Sequence, residues 1–303
     1  MYLQPPLTAT YSVQVEDDQA DTRSRCPGGM TSEDHRGASA ASAAPQGDSG
    51  LSRPDPLPVE ATFSDFVVEF GGRVVAESVP KGCDLPENAD YFFPTDNVVA
   101  ELKCLEKDLF NTDQDVERIL RIIVKHRESG SVSGYEGLRW ALGQRPTPPE
   151  YRRDMLSLAR RYIEGVLRKA AKQIEGTREL LNAPTARGLV LLANDGNYFA
   201  DPAQAFALVN QVMLNHFMDS AIDGFVYFTA NTVANVPEGN KELIYWVPAY
   251  RRSGDELAGF VNRLGAAWGD FYARRIGQVV PCTQTEDPDV LRALKLIRNR
   301  KRR

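Results

Sequence analysis

The chain has little with which to build a soft-ligand metal site, a disulfide framework or a membrane span. Its four cysteines, Cys26, Cys83, Cys104 and Cys282, are scattered without Cys-x-x-Cys spacing, which disfavours a zinc ribbon or a stapled fold. His126 and His216 each stand alone within a helical pattern, a setting that suits packing or a surface better than a catalytic base or a metal ligand. There is no Gly-x-x-x-x-Gly-Lys loop and no Gly-x-Ser-x-Gly elbow, so an ATPase or a serine hydrolase has no support. No basic start leads into an apolar stretch and no run is long enough to span a bilayer, so a soluble, cytoplasmic protein without a membrane partner is expected. The net charge of −5 argues against tight nonspecific nucleic-acid binding over the whole surface, but not against a local basic groove.

Composition divides the chain into three parts. Residues 1–56 lack periodicity and apolar anchors, as in Ala38-Ser-Ala-Ala-Ser-Ala-Ala-Pro-Gln-Gly47, and are expected to be a disordered low-complexity segment. A tail that binds a partner and a translation start at Met30 are both open for this segment. Residues 57–282 carry the periodic apolar pattern of a folded domain. Residues 283–303 end in Arg298-Asn-Arg-Lys-Arg-Arg303, a basic C-terminal tail suited to phosphate backbones or to solvent.

What is present is a charged interruption of apolar strands. Tyr91-Phe92-Phe93 and Val98-Val99-Ala100 read as strands on either side of the turn formers Pro94-Thr95-Asp96-Asn97. A four-residue loop pairs Phe93 with Val98, Phe92 with Val99 and Tyr91 with Ala100, and sets Asp90 opposite Glu101, with Cβ atoms roughly 5 Å apart. Strand alternation returns Lys103 to the face of Glu101 and turns Leu102 away. Like charges opposite one another destabilise a hairpin, so two carboxylates here call for a cation, and a hard divalent ion would supply one. The competing reading is a surface hairpin in which Lys103 pairs with an acid, worth about 0.2–1 kcal/mol. Phe92, Val99 and Leu105 share the charged face, which favours a site.

Asp90, a ten-residue gap and Glu101-Leu102-Lys103 resemble the PD-(D/E)XK nuclease superfamily, the fold of many restriction and repair endonucleases. The resemblance implies a restriction-endonuclease-like mixed sheet flanked by helices on both faces. It also implies an Mg²⁺-dependent endonuclease, with Mn²⁺ as a substitute ion and DNA preferred over RNA as partner. Asp90 and Glu101 would be metal ligands, Leu102 would add its backbone carbonyl, and Lys103 would orient the attacking water or stabilise charge on the phosphate. The alternative is a nuclease-like binding or regulatory module that does not cleave, and a homodimer stays open. Many members carry a glutamate on a helix upstream of the first strand. No clear helix is seen between Val59 and Glu69, and Glu69 and Glu77 stand as candidates for the missing acid.

The remaining pattern is α/β. Glu150 to Gly176 reads as a long amphipathic helix, with Met155, Ala159, Tyr162, Ile163, Val166, Ala170 and Ile174 inward and a basic outer face. By the resemblance, Lys172 and Gln173 reach toward the site, and Lys169 lies on the nucleic-acid side. A shorter helix spans Val116 to His126. Gly188-Leu-Val-Leu-Leu-Ala193 reads as a strand buried on both faces, and Asp223–Thr229 and Leu243–Val247 as two more. Asp201-Pro-Ala-Gln204 reads as a helix start with a capping box, followed by the core stripe Phe206, Val209, Val212 and Met213. A last helix from Asp255 to Arg275 turns Leu257, Phe260, Val261, Leu264 and Trp268 inward. Phe66–Phe70 and Val74–Glu77 are expected to form a hairpin around Gly71-Gly72. Together these elements predict helices on both faces of one mixed sheet.

Overall fold

The computed structural model describes residues 8–13, 56–77, 88–105, 113–130, 149–197, 200–236, 241–251, 256–277, 282–285, 292 and 295–297. Met30, the Ala38–Gly47 run and the basic Arg298–Arg303 end lie outside them. Strands β1 (Thr8–Val13), β2 (Arg73–Val74), β3 (Tyr91–Phe93), β4 (Val98–Leu105), β5 (Arg187–Asn194), β6 (Gly224–Thr229), β7 (Val233–Val236), β8 (Lys241–Tyr250), β9 (Cys282–Thr285) and β10 (Lys295–Ile297) form one mixed sheet. Helices α1 (Val59–Phe70), α2 (Asp113–Glu128), α3 (Pro149–Leu180), α4 (Pro202–His216) and α5 (Glu256–Ile276) accompany it. The architecture is α/β, as the alternation of elements predicts.

The hairpin register agrees with the expectation: Tyr91 pairs with Ala100, Phe92 with Val99 and Phe93 with Val98. Asn97 closes the turn with a left-handed backbone, φ 52°, which asparagine tolerates. Strand β4 then runs parallel to β5, and β5 parallel to β6, while β8 returns antiparallel to β6. Where β5 begins, Gly188 is required, because a Cβ there would stand 2.0 Å from the Ala221 carbonyl oxygen.

Each face of the sheet carries its own core. On one side Phe63, Phe66 and Val67 of α1 and Phe260, Leu264 and Trp268 of α5 pack on Ala100, Leu102, Leu191 and Phe228. On the other, Ala159, Ile163, Leu167, Ala170 and Ile174 of α3 and Val209, Val212 and Met213 of α4 pack on Val99, Val190, Leu192 and Phe225. Strand β5 is thus buried on both faces, as its unbroken apolar run predicts.

Four expectations are corrected. Val59–Phe70 is a helix, not loop and strand, and Gly71 is its left-handed C-cap at φ 97° rather than a hairpin turn. The residues buried there, Val59, Phe63, Phe66 and Val67, follow helical spacing, while Val68 is 58 % exposed; a strand would have buried Val68 with Phe66. Tyr162, expected inward, is 42 % exposed, and Leu167 fills the inner stripe of α3 instead. Asp201 occupies the N-cap position before Pro202 but its side chain makes no capping hydrogen bond, so no capping box forms.

Finally, three strands fall in the end segments. Within the opening 1–56 segment, expected to lack structure, Thr8–Val13 pairs antiparallel with β8 and β9. Within the 283–303 tail, β9 extends to Thr285 and Lys295–Ile297 pairs with β7. These are short pieces whose partners are distant in sequence, so context rather than local pattern makes them strands. Among the described residues no helix is long and apolar enough to cross a membrane.

Candidate active site

Asp90 stands just before β3, and Glu101 and Lys103 lie on β4, all on the face that packs against α3. Strand alternation explains the shared face, since Val99 and Leu105 on either side of the two charges belong to the α3 and α4 core. Beyond Tyr91 the strand pairing with β3 stops, and side chains take over from the ladder. The Asp90 N–H donates to Glu101 Oε2 at 3.1 Å, and Asp90 Oδ2 accepts from the Leu102 N–H at 2.8 Å. The N–H and C=O of one strand residue leave on the same side, so the Leu102 carbonyl faces this same edge of β4.

The Lys103 ammonium donates to Glu101 Oε1 and, at 2.9 Å, to Gln173 Oε1. Gln173 Nε2 in turn donates to the Asn88 carbonyl at 3.0 Å. The structure therefore brings Asp90, Glu101, Lys103 and Gln173 together. Lys169 and Lys172, also expected near the site, are exposed on α3, whereas Gln173 is buried and bonds into the cluster.

Neither candidate for the additional acid joins the cluster. Glu69 pairs with Arg274 of α5, with both side chains more than half exposed, on the opposite side of the sheet. Glu77 ends a short 3₁₀ turn, Val75–Glu77, and is exposed. His126 is buried against Asp154 and the Tyr151 ring, a packing role in keeping with its helical setting.

Two residues that the sequence left unmarked complete the surroundings. The Ala89 N–H donates to Thr177 Oγ1 at 2.7 Å and approaches the Gln173 carbonyl at 3.2 Å. Thr177 is fully buried, one helical turn beyond Gln173. Asn88 Oδ1, two residues before Asp90, is a buried oxygen with no hydrogen-bond partner among the described residues. Only the spacing Gln173-x-x-x-Thr177 on an otherwise apolar helix face hints at Thr177, and a buried threonine is ordinarily unremarked.

The electrostatics are those of two acids sharing one base. Glu101 is 1 % exposed and Lys103 21 %. Burial, and then the neighbouring Asp90, push the Glu101 carboxyl up to about 7 against the pull of Lys103. Burial also raises Asp90, offset in part by the Leu102 N–H and the Lys103 charge.

The donor set suits a hard cation. Two carboxylates short of positive charge stand beside a backbone carbonyl edge. Among the described residues no group of three or more His, Cys, Asp or Glu is placed to hold a metal, so an ion here would complete its shell with neutral oxygens and water, as Mg²⁺ does. Compared with known proteins, the chain matches no family model, no curated protein and no solved structure.

Proposed function

We propose that this protein is a metal-dependent phosphodiesterase acting on DNA, of the PD-(D/E)XK kind. The observation that carries the reading is the half-buried Asp90 and the buried Glu101 held against a single ammonium, Lys103, at the point where the β3–β4 ladder ends. Helix α1 precedes the hairpin as the resemblance implies, but its Glu69 is paired with Arg274 on the other face and adds no ligand. Asp90 and Glu101, with the Leu102 carbonyl, would hold Mg²⁺ or Mn²⁺. A bound ion of this type supplies a Lewis acid for a phosphoryl oxygen and lowers the pKa of a water that can serve as nucleophile.

The chain's own groups would do the rest. Lys103 is gripped by Glu101 and Gln173, so its ammonium is oriented before a substrate arrives, and it would stabilise negative charge developing on the phosphate. Gln173 would hold Lys103 and the Asn88 backbone in register. The exposed cations of α3, Lys169 and Lys172 with Arg161 and Arg168, would meet the phosphate backbone. A second copy of the chain would be needed for paired cuts.

The test is incubation of purified protein with labelled linear, supercoiled and single-stranded DNA, and with RNA, in Mg²⁺, Mn²⁺ or EDTA. Glu101→Ala and Lys103→Ala variants, shown to be folded, run beside it. Metal-dependent cleavage lost in both variants is expected. Binding of DNA without cleavage under every condition would leave a noncatalytic module in its place.

A further inference from the structure

Three buried or partly buried polar groups outside the proposed chemistry invite a role: the Asp223 arginine cluster, the Asn194–Tyr227 network and Thr177. Asp223 is met by Arg178, Arg251 and Arg187, and Arg251 also donates to the Met218 and Ser220 carbonyls, so that cluster is explained as a tie between elements. Asn194 is satisfied by Tyr227, Asn197 and Thr232 at the end of β5. Thr177 differs from both, because its hydroxyl grips the backbone beside a residue of the acid pair.

We propose that Thr177 is a positioning residue for Asp90, setting that carboxylate for a divalent cation through the Ala89 N–H; this rests on the metal reading of the site. The backbone from Asn88 to Asp90 is held at four points. The Asn88 carbonyl accepts from Gln173 at 3.0 Å, the Ala89 N–H donates to Thr177 at 2.7 Å, the Asp90 N–H to Glu101 at 3.1 Å, and the Asp90 carbonyl accepts from Val75 at 2.8 Å. The Thr177 bond is the shortest of the four and is buried, whereas the Ala89 contact to the Gln173 carbonyl is longer, at 3.2 Å. Among the described residues the Asp90 carboxylate accepts a hydrogen bond from the Leu102 N–H, so its direction also depends on how its backbone is anchored.

Groups that orient a metal ligand without touching the ion commonly alter affinity 10- to 100-fold when removed, and a buried threonine hydroxyl can be deleted with little change of shape. Valine at position 177 keeps the branched side chain and leaves the Ala89 N–H with only its longer contact.

The experiment is Mn²⁺ binding to the full-length protein, followed by electron paramagnetic resonance of the free ion, for wild type, Asp90→Asn, Thr177→Val, Thr177→Ala and Thr177→Ser. Thermal unfolding and amide hydrogen exchange of the peptide containing Ala89 accompany each titration. The expected result is a weakening of about tenfold in Thr177→Val and Thr177→Ala, with faster exchange in that peptide, and binding within about threefold of wild type in Thr177→Ser. Thr177→Ala serves if the valine variant does not fold. Wild-type affinity in folded Thr177→Val or Thr177→Ala overturns the proposal alone, as does a loss in Thr177→Ser equal to that in Thr177→Val, which would make the methyl and not the hydroxyl responsible. If wild type does not bind Mn²⁺, or Asp90→Asn binds it equally well, the metal reading falls and this proposal falls with it.

Discussion

Two clusters of charge are set on the same sheet, one at Asp223 and one at Asp90 and Glu101, and they are balanced in opposite ways. Asp223, 7 % exposed, is one carboxylate among three guanidinium groups: Arg178 donates at 2.9 Å, Arg251 is in direct contact and Arg187 lies at 3.7 Å. The Gly188 N–H adds a further bond at 2.9 Å. Those partners come from the end of α3, the start of β5 and the end of β8, so the carboxylate fastens elements together. The other cluster has two carboxylates and one ammonium, and its members come from the start of β3, from β4 and from α3. A cluster with cations to spare closes on itself. One with an excess of acid is stable only with a raised pKa or an added cation, which is the condition of a site.

This contrast can be broken from either side. The largest expected effect is on the structural cluster: Asp223→Ala removes the carboxylate that Arg178, Arg251 and Arg187 share and should destabilise the protein by about 3–5 kcal/mol in urea unfolding. Its metal-dependent cleavage per folded molecule should be unchanged. A change of activity larger than that of stability would show that the two clusters are not separable. Lys103→Ala should do the reverse, lowering the cleavage rate about 10²- to 10³-fold, measured at saturating Mg²⁺, with little loss of stability.

The pH dependence of folding sharpens the comparison further. Glu101 is pushed up to about 7 and Asp90 is raised with it. Between the ordinary carboxylate range and about 7 the folded protein therefore holds more protons than the unfolded chain. Stability of the metal-free protein should fall as pH rises through that window and level off above it, by about 3 kcal/mol from Glu101. Glu101→Gln should flatten the profile, and an unchanged profile in urea titrations across pH would remove Glu101 as its source. The smallest effect belongs to the surface: Glu69→Ala breaks the exposed pair with Arg274, and about 0–1 kcal/mol is expected in the same assay.

The difference in legibility between parts of the chain has physical causes. The β3–β4 hairpin was readable because turn formers fix its loop and alternation alone then places Glu101 and Lys103 on one face. Strand β5 was readable because a strand covered on both faces needs no alternation. Helix α1 was hidden by its own composition: Val59, Phe63, Phe66, Val67 and Phe70 are residues with strand preference, and only their spacing marks a helix. Strands β1, β9 and β10 owe their state to partners far along the chain, which no local window contains. Within the candidate site, the acids and Lys103 announce themselves as charges in an apolar run. Thr177 and Asn88 are ordinary polar residues until the packing of α3 against the hairpin brings them to it.

Helix α3 touches both clusters within a short length. Gln173 and Thr177 serve the acid pair and Arg178 serves Asp223, so the two are gauged against each other by the six residues 173–178 of one rod. Inserting or deleting a single residue between Gln173 and Arg178 would turn one end against the other by about 100°. No such change of length can satisfy both clusters at once. This stretch can vary in the identity of its outward residues but not in their number, and the separation of the two charge clusters is fixed by counting rather than by any contact between them.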